Sequence, residues 1–429
     1  MVLALALATL FLALYVGPGL DAGLTDDDAM NLYFARQQNW GSLLWANAAY
    51  WSPAYRPLGA VVYRGVYAIW GFQPEPFRVL CHILIAVNVV LAFWAAWMLS
   101  DSAFTGALTG LLLSYNAGFS DLYRSTGTLY DLLCFAFLAA ATGLYAQARR
   151  GDRAPTPAVL LLWVLALNSK EIAVVLPAVL ITYEVLWKRT RPPLLVWAAA
   201  GMAVPYVLGK LSSKSVLSTV DGYRVTLDIP ACLENTGRYV GALLDPYSAP
   251  VHFAWLVVPA ALAWILKSRT AAFGLLFMLA GAAPLACIPP RSGFAFYVAA
   301  FGLALTAAAL VAAVWDRWLP RLGWVRLGAV FLAGLWIAGA QRVELSPHLS
   351  EADVRALAEA LRGLPPPERG ARIALVGGPF PEDNWTPVFV GQLVYPGIEI
   401  ERHAVPPPQK QEPPRIVLVW TNGQWRRAD

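Results

Sequence analysis

The chain has 429 residues, 58% of them hydrophobic and 14% charged, with a formal net charge of +5; a soluble globular domain carries about 25% charged residues. This composition, with a mean hydropathy of +0.53, excludes an ordinary soluble enzyme and predicts an integral membrane protein. Its 18 Trp and 17 Tyr suit bilayer interfaces, and its basic excess is dispersed, which points to topology and away from nucleic acid.

Long apolar runs predict about eleven transmembrane helices, near 2–19, 77–99, 103–120, 129–147, 157–168, 172–187, 193–209, 251–266, 271–290, 294–315 and 323–340. The runs 157–168 and 172–187 are short for a bilayer and read as tilted helices or as a re-entrant hairpin. The first run lacks the basic leader of a signal peptide and is read as retained. Arg149, Arg150 and Arg153, then Lys188, Arg189 and Arg191, then Lys267 and Arg269, then Arg317, Arg321 and Arg326 fall in alternate short loops. The positive-inside rule places those loops in the cytoplasm. The loops around 20–77, 121–128, 168–171, 210–250 and 288–293, and the tail from 341, then face the other side.

The first outer loop, 20–77, is long for a connection and is therefore a candidate for function. It opens with Asp26, Asp27 and Asp28. Thr25 and Asp28 form a capping-box pattern ahead of a helix through Gln37, and acids in a first helical turn are favourable by about 0.3–1 kcal/mol each. Capping needs one or two acids, and three adjacent ones repel, so compensating cations are expected. The loop supplies Arg56, Arg64 and Arg78. The region 58–70 reads as an amphipathic interfacial helix. Arg64 and Arg78 are expected to reach lipid headgroups, whereas Pro53 and Pro57 flank Arg56 and predict a rigid extended turn that presents its guanidinium.

Further ionisable residues sit where apolar ones would insert more cheaply: Asp121, Arg124 and Asp131; Lys170 and Glu171; Lys210, Lys214, Arg224 and Arg238; and Arg291. Asp131 lies about one turn into its helix and is expected to face the bundle. Adjacent Lys170 and Glu171 cannot share a helix face, so each needs its own partner. Structural salt bridges account for any one of these groups. Their gathering on one face points instead to a cavity for an anionic, lipid-linked group, because Arg and Lys recognise phosphate. The three Asp side chains are also hard oxygen ligands suited to Mg²⁺, Mn²⁺ or Ca²⁺, with Asp26 and Asp28 as candidate ligands. The four cysteines, Cys81, Cys134, Cys232 and Cys287, show no metal spacing and no assignable disulfide.

The tail, 341–429, changes composition. Val354, Leu357, Ala358 and Leu361 recur at helical spacing, followed by strand-like segments at 371–378 and 415–420 between Pro-rich turns. The expected architecture is an all-α polytopic membrane domain, 1–340, with a small extracytoplasmic α/β domain at the C-terminus.

An acidic pair soon after the first span, "YRPL" at 55–58, an acid-containing segment leading into "DLL" at 131–133, "KE" at 170–171 and then Arg291 followed by aromatics occur in a telling order. In that order the chain resembles GT-C class integral-membrane glycosyltransferases. Within the class it is most similar to the protein O-mannosyltransferase and transmembrane O-mannosyltransferase group, over roughly residues 1–315. The resemblance implies an enzyme that moves a sugar from a polyprenyl- or dolichyl-phosphate carrier to an extracytoplasmic hydroxyl of a protein, glycan or lipid acceptor, with inversion. It implies that the acidic run holds the catalytic carboxylate, Asp27 first and Asp26 or Asp28 next. Arg56, Lys170 and Arg291 become candidates for the phosphate, with Glu171 and Asp131 orienting cations or sugar. The relatives' basic residue before "DLL" is missing here, and Arg124 is the nearest substitute. Many relatives need no metal, so no cofactor is required and a divalent cation stays an option. The tail replaces their tetratricopeptide array. Ala-, Arg- and Pro-rich composition favours a bacterial inner membrane with the site on its periplasmic face. The competing readings are a lipid-linked-substrate transporter or flippase, for which mid-membrane charges and repeats would be expected, and a non-catalytic scaffold.

Overall fold

A computed structural model of the chain describes residues 1–189, 191–212, 225–226, 228–244, 253–319, 322–340, 349–381, 383–403 and 416–428. Lys214, Arg224 and Arg321 fall outside the described residues, as does the start of the run at 251–266.

Helix α1 (Val2–Phe11) runs on through two short turns to Asp21. The first outer loop then folds into α2 (Asp26–Gln37), α3 (Trp40–Ala48) and α4 (Pro57–Trp70). Asn39 starts α3 by accepting the Ser42 N–H at 2.7 Å, and Pro57 opens α4 at a position where a missing N–H leaves nothing unsatisfied. Next come α5 (Pro74–Ser100), α6 (Ala103–Ser114), α7 (Ser120–Arg124), α8 (Leu129–Arg150), α9 (Ala158–Ser169), α10 (Leu176–Tyr183) and α11 (Leu194–Leu211). They are followed by α12 (Ile229–Leu244), α13 (Val257–Ile265), α14 (Arg269–Ala286), α15 (Tyr297–Trp318) and α16 (Gly323–Ala340).

Among the described residues six helical segments are long and apolar enough to cross a bilayer: 2–21, 74–100, 126–150, 194–211, 269–286 and 293–318. The expectation of about eleven is not matched. Helices α6, α9 and α13 fall short of the roughly 20 residues that a span requires, and the helical run Glu171–Lys188 through α10 carries Glu171, Glu184 and Lys188. The discrepancy has a physical origin, because apolar runs read continuously through turns that stay inside the bundle. Tyr115, Phe119 and Leu122 are all buried, yet they lie in and beside short turns between α6 and α8.

Small residues let the helices approach. Helices α14 and α15 cross where Gly274 faces Gly302, and a Cβ on Gly302 would lie 2.4 Å from the Gly274 carbonyl oxygen and 2.4 Å from the Met278 nitrogen. Such close backbone approach supplies the dispersion contact that holds helices together in lipid.

The charges sort to two ends. Along α8, Asp131 and Arg149 are separated by about 27 Å of helix. At the Arg149 end are the pairs Arg149–Glu184 (2.7 Å), Arg150–Asp101, Lys188–Asp152 (2.6 Å) and Arg326–Asp316 (3.2 Å). The first outer loop and the remaining candidates occupy the Asp131 end.

The tail forms α17 (Leu349–Arg362), β1 (Arg372–Val376), α18 (Thr386–Val394), β2 (Glu399–His403), β3 (Ile416–Thr421) and β4 (Gln424–Arg427). The sheet order is β2-β1-β3-β4, with β1 parallel to both β2 and β3 and with β3 and β4 antiparallel. Val354, Leu357, Ala358 and Leu361 of α17 are buried at the expected helical spacing. Strands β2 and β4 were not expected. Asn422 and Gly423, with φ of 50° and 77°, make the two-residue turn that sets the twist of the β3–β4 hairpin.

A Gly302→Leu substitution should destabilise the detergent-solubilised protein by about 1–3 kcal/mol through overpacking, read as a lowered thermal unfolding midpoint.

Candidate active site

The acidic run is divided among three environments. Thr25 and Asp28 form the expected capping box, each side chain accepting the other's backbone N–H, at 3.2 and 2.9 Å. Asp28 is fully buried and also meets Arg78 Nη2 at 2.9 Å, the Gly127 N–H at 2.6 Å and Ser125 Oγ at 3.4 Å. Asp26 accepts from Ser350 Oγ of the tail at 2.7 Å. Asp27 lies between them on the first turn of α2 and is exposed.

Arg78 is therefore not a headgroup-seeking residue. It is wholly buried, and besides Asp28 it donates to the Gly23 carbonyl at 2.9 Å. Arg64 also turns inward: its Nη1 donates to the carbonyls of Arg36 and Gln38, closing the C-terminal end of α2, and its guanidinium lies 5.1 Å from the Trp40 ring. In both cases unsatisfied acceptors within the protein outcompete lipid.

Asp27 and Asn31 are one helical turn apart and share a face. Asn31 Oδ1 accepts from the Tyr130 hydroxyl at 3.1 Å, and Tyr130 lies in a charged cluster. The Arg56 guanidinium sits 4.5 Å from the Tyr55 ring and 5.0 Å from the Tyr130 ring. It grips Glu171 through two nitrogens, with Nη2 to Oε2 at 3.0 Å and Nε to the same oxygen at 3.2 Å. Arg56 was expected to be extended, but its backbone is left-handed, with φ 43° and ψ 58°. A non-glycine residue there costs about 1–3 kcal/mol, and the carboxylate and two rings hold it in place.

Lys170 and Glu171 diverge as their adjacency requires. Lys170 Nζ pairs with buried Asp131 and lies 5.5 Å from the Phe294 ring, while Glu171 takes Arg56. Burial raises the Glu171 carboxyl, and the charge and hydrogen bonds of Arg56 outweigh it, so the group titrates below its ordinary value. Lys210, from the end of α11, donates to the Ala54 carbonyl and interacts with both Glu171 and Arg56. The sequence places Lys210 among the outer cations but does not single it out; its position at the end of an apolar span was the available signal.

Two candidates stand apart. Arg124 pairs with Glu351 of the tail at 3.4 Å, and Glu351 also accepts the Gly23 N–H at 2.7 Å, so Arg124 fastens the tail to the loop. Arg291 is exposed, and its backbone N–H donates to the Tyr239 hydroxyl at 2.7 Å. Its loop reaches the cluster through Phe294. The metal option finds no support in the donor arrangement: Asp26 and Asp28 engage separate partners, and among the described residues no three His, Cys, Asp or Glu side chains form a ligand group.

The tail also packs on this loop. Tyr33 and Phe34 of α2 meet Phe389 with ring centroids 4.9 and 5.7 Å apart. Arg36 Nη1 donates to the Gln392 carbonyl at 2.9 Å, and the Tyr67 hydroxyl donates to that of Leu393 at 2.6 Å.

No protein-family model and no curated protein matches this chain.

Removing one partner of a buried ion pair is costly, so Arg78→Ala should destabilise the protein by about 3–5 kcal/mol. Asp27→Asn, which removes an exposed first-turn charge, should cost no more than about 1 kcal/mol; thermal unfolding of both variants checks the contrast. Because the folded Glu171 carboxyl titrates below its unfolded value, its stabilising effect is full above that unfolded value, about pH 4.3, and fades as pH falls through the folded one. The difference in unfolding midpoint between the wild type and Glu171→Gln should therefore shrink across that acid window.

Proposed function

We propose that the chain is a membrane glycosyltransferase that moves a sugar from a polyprenyl- or dolichyl-phosphate carrier to an acceptor hydroxyl on the extracytoplasmic face. The observation that carries this reading is the division of labour within the acidic run. Asp26 meets Ser350 of the tail, Asp28 meets Arg78 inside the bundle, and Asp27 stands exposed on the first turn of α2, on the helix face that leads through Asn31 and Tyr130 to Arg56. The basic residues of the short loops at the Arg149 end support the orientation.

Asp27 serves as the general base. The first turn of α2 favours its ionised form, which takes the proton of the acceptor hydroxyl as that oxygen attacks the anomeric carbon. The new C–O bond forms opposite the carrier phosphate, the old anomeric C–O bond breaks, and the electron pair leaves on the phosphate, so configuration inverts. The developing charge needs fixed cations. Arg56 and Lys170 are each tied to a carboxylate. Arg56 and Lys170, held in place by Glu171 and Asp131, with Lys210 as a third cation beside them, supply the fixed positive groups that such a phosphate needs. The mannosyltransferase-like resemblance makes polyprenyl-phosphate mannose the first donor to test. A bacterial inner membrane is the proposed setting.

In proteoliposomes supplied with synthetic polyprenyl-phosphate mannose and a panel of other sugars, the wild type should release polyprenyl phosphate. Asp27→Asn should lower that release by about 10²–10⁴-fold while still binding the carrier lipid. Equal turnover by the variant would remove Asp27 from its role. A wild type that binds the lipid tightly and turns over no donor would favour the transporter or scaffold readings.

A further inference from the structure

Two of the four cysteines are buried inside the bundle, Cys81 on α5 and Cys134 on α8. The other two meet at the Asp131 end. Cys232, on the first turn of α12, and Cys287, at the C-terminal end of α14, are half-buried, with their sulfurs 3.4 Å apart. Their backbones are held in register from both sides. The Thr226 N–H donates to the Cys287 carbonyl at 2.7 Å, and Asn235 Nδ2 donates to the carbonyls of Ala286 and Ile288 at 3.0 and 3.1 Å. A covalent bridge needs the sulfurs at about 2.05 Å, a closure that side-chain rotation and small backbone adjustments can supply.

We propose that Cys232 and Cys287 are joined by a disulfide in the membrane-inserted protein, formed on a face open to an oxidising compartment. The inference rests on the orientation adopted under the proposed function. Formation needs an external disulfide of the protein or glutathione type. One thiolate of the pair attacks a sulfur of that disulfide and expels the first thiol. The second thiolate then attacks the mixed disulfide and expels the other. Two protein thiols are oxidised, one external disulfide is reduced to two thiols, and the two protons go to the departing thiols. The sulfur–sulfur hydrogen bond to Cys287 raises the pKa of the Cys232 thiol, so bridge formation should quicken as pH rises.

The bridge would pin α12 against the loop that carries Arg291. Tyr239 of α12 accepts the Arg291 N–H and stacks on Phe296 at 5.2 Å, and Phe294 of the same loop lies against Lys170. The staple therefore borders the charged cluster without supplying a group to it.

The test alkylates free thiols with N-ethylmaleimide in intact membranes, then digests the unreduced full-length protein for mass spectrometry. The expected result is a linked pair of peptides containing Cys232 and Cys287, lighter by two hydrogens and separated by reductant. Recovery of both residues as maleimide adducts without reduction would overturn the bridge. A membrane-impermeant maleimide applied to intact cells decides the side independently. Labelling of both residues only after reductant supports the whole proposal, and Cys232→Ser should then expose Cys287 without reductant. Labelling of wild-type Cys232 without reductant overturns the bridge and keeps the orientation. Labelling only after detergent overturns the orientation, and with it the side assigned to glycosyl transfer, even where mass spectrometry finds the linked pair.

Discussion

The buried contact between Asp28 and Arg78 is the constraint on which the rest of this end of the molecule depends. Two charges removed from water are expensive, and their mutual attraction offsets that cost only when the remaining hydrogen-bonding capacity is filled. For Asp28 it is filled by the backbone N–H groups of Thr25 and Gly127 and by the Arg78 guanidinium, whereas Arg78 uses only Nη2, on Asp28 and the Gly23 carbonyl, and keeps Nε and Nη1 buried without a hydrogen bond among the described residues. The donors to Asp28 come from the loop itself, from the start of α5 and from the turn before α8. The carboxylate therefore fixes where three separate segments meet and sets the rotation of α2 about its axis. That rotation directs the face of Asp27 and Asn31 toward Tyr130.

The second layer of organisation is a set of charges that neutralise one another in pairs without sharing partners. Arg56 holds Glu171, and Lys170 holds Asp131, although Lys170 and Glu171 are consecutive. A helix would point these neighbours about 100° apart. Here Lys170 is in an extended conformation at the C-terminal end of α9 and Glu171 begins a tight turn, so the chain reverses its course between them. Each pair ties an outer segment to the bundle: Arg56 brings the start of α4 to the turn before α10, and Lys170 joins that turn to α8.

The parts legible from sequence were those governed by neighbours along the chain. The Thr25–Asp28 capping box and the burial at helical spacing in α17 follow from spacing alone, whereas Lys170 and Glu171 diverge through an extended residue and a turn and not through the helix the spacing assumed. The fate of Arg78 did not, because its partner lies 50 residues away and an arginine beside an apolar run looks the same whether lipid or a buried carboxylate receives it. The number of spans differs for a related reason: hydropathy reports what a segment is made of and is blind to a turn sheltered by other helices. The β3–β4 hairpin was legible but not read, since "NG" between two strand-like stretches is a strong local signal. Lys210 was visible as an outer cation, and only its approach to Arg56 and Glu171 in three dimensions distinguishes it.

The tail shows how composition and folding mark different boundaries. Composition changes near residue 341, where apolar spans give way to mixed α/β sequence. Folding does not divide there, because Ser350 supplies a partner for Asp26 and Glu351 supplies partners for Gly23 and Arg124. The first outer loop thus borrows part of its hydrogen bonding from a segment made more than 300 residues later. During synthesis the loop emerges first, and its groups that later pair with Ser350 and Glu351 stay solvated until the tail has been made. A chain interrupted before residue 350 would carry its apolar helices without a finished acidic loop.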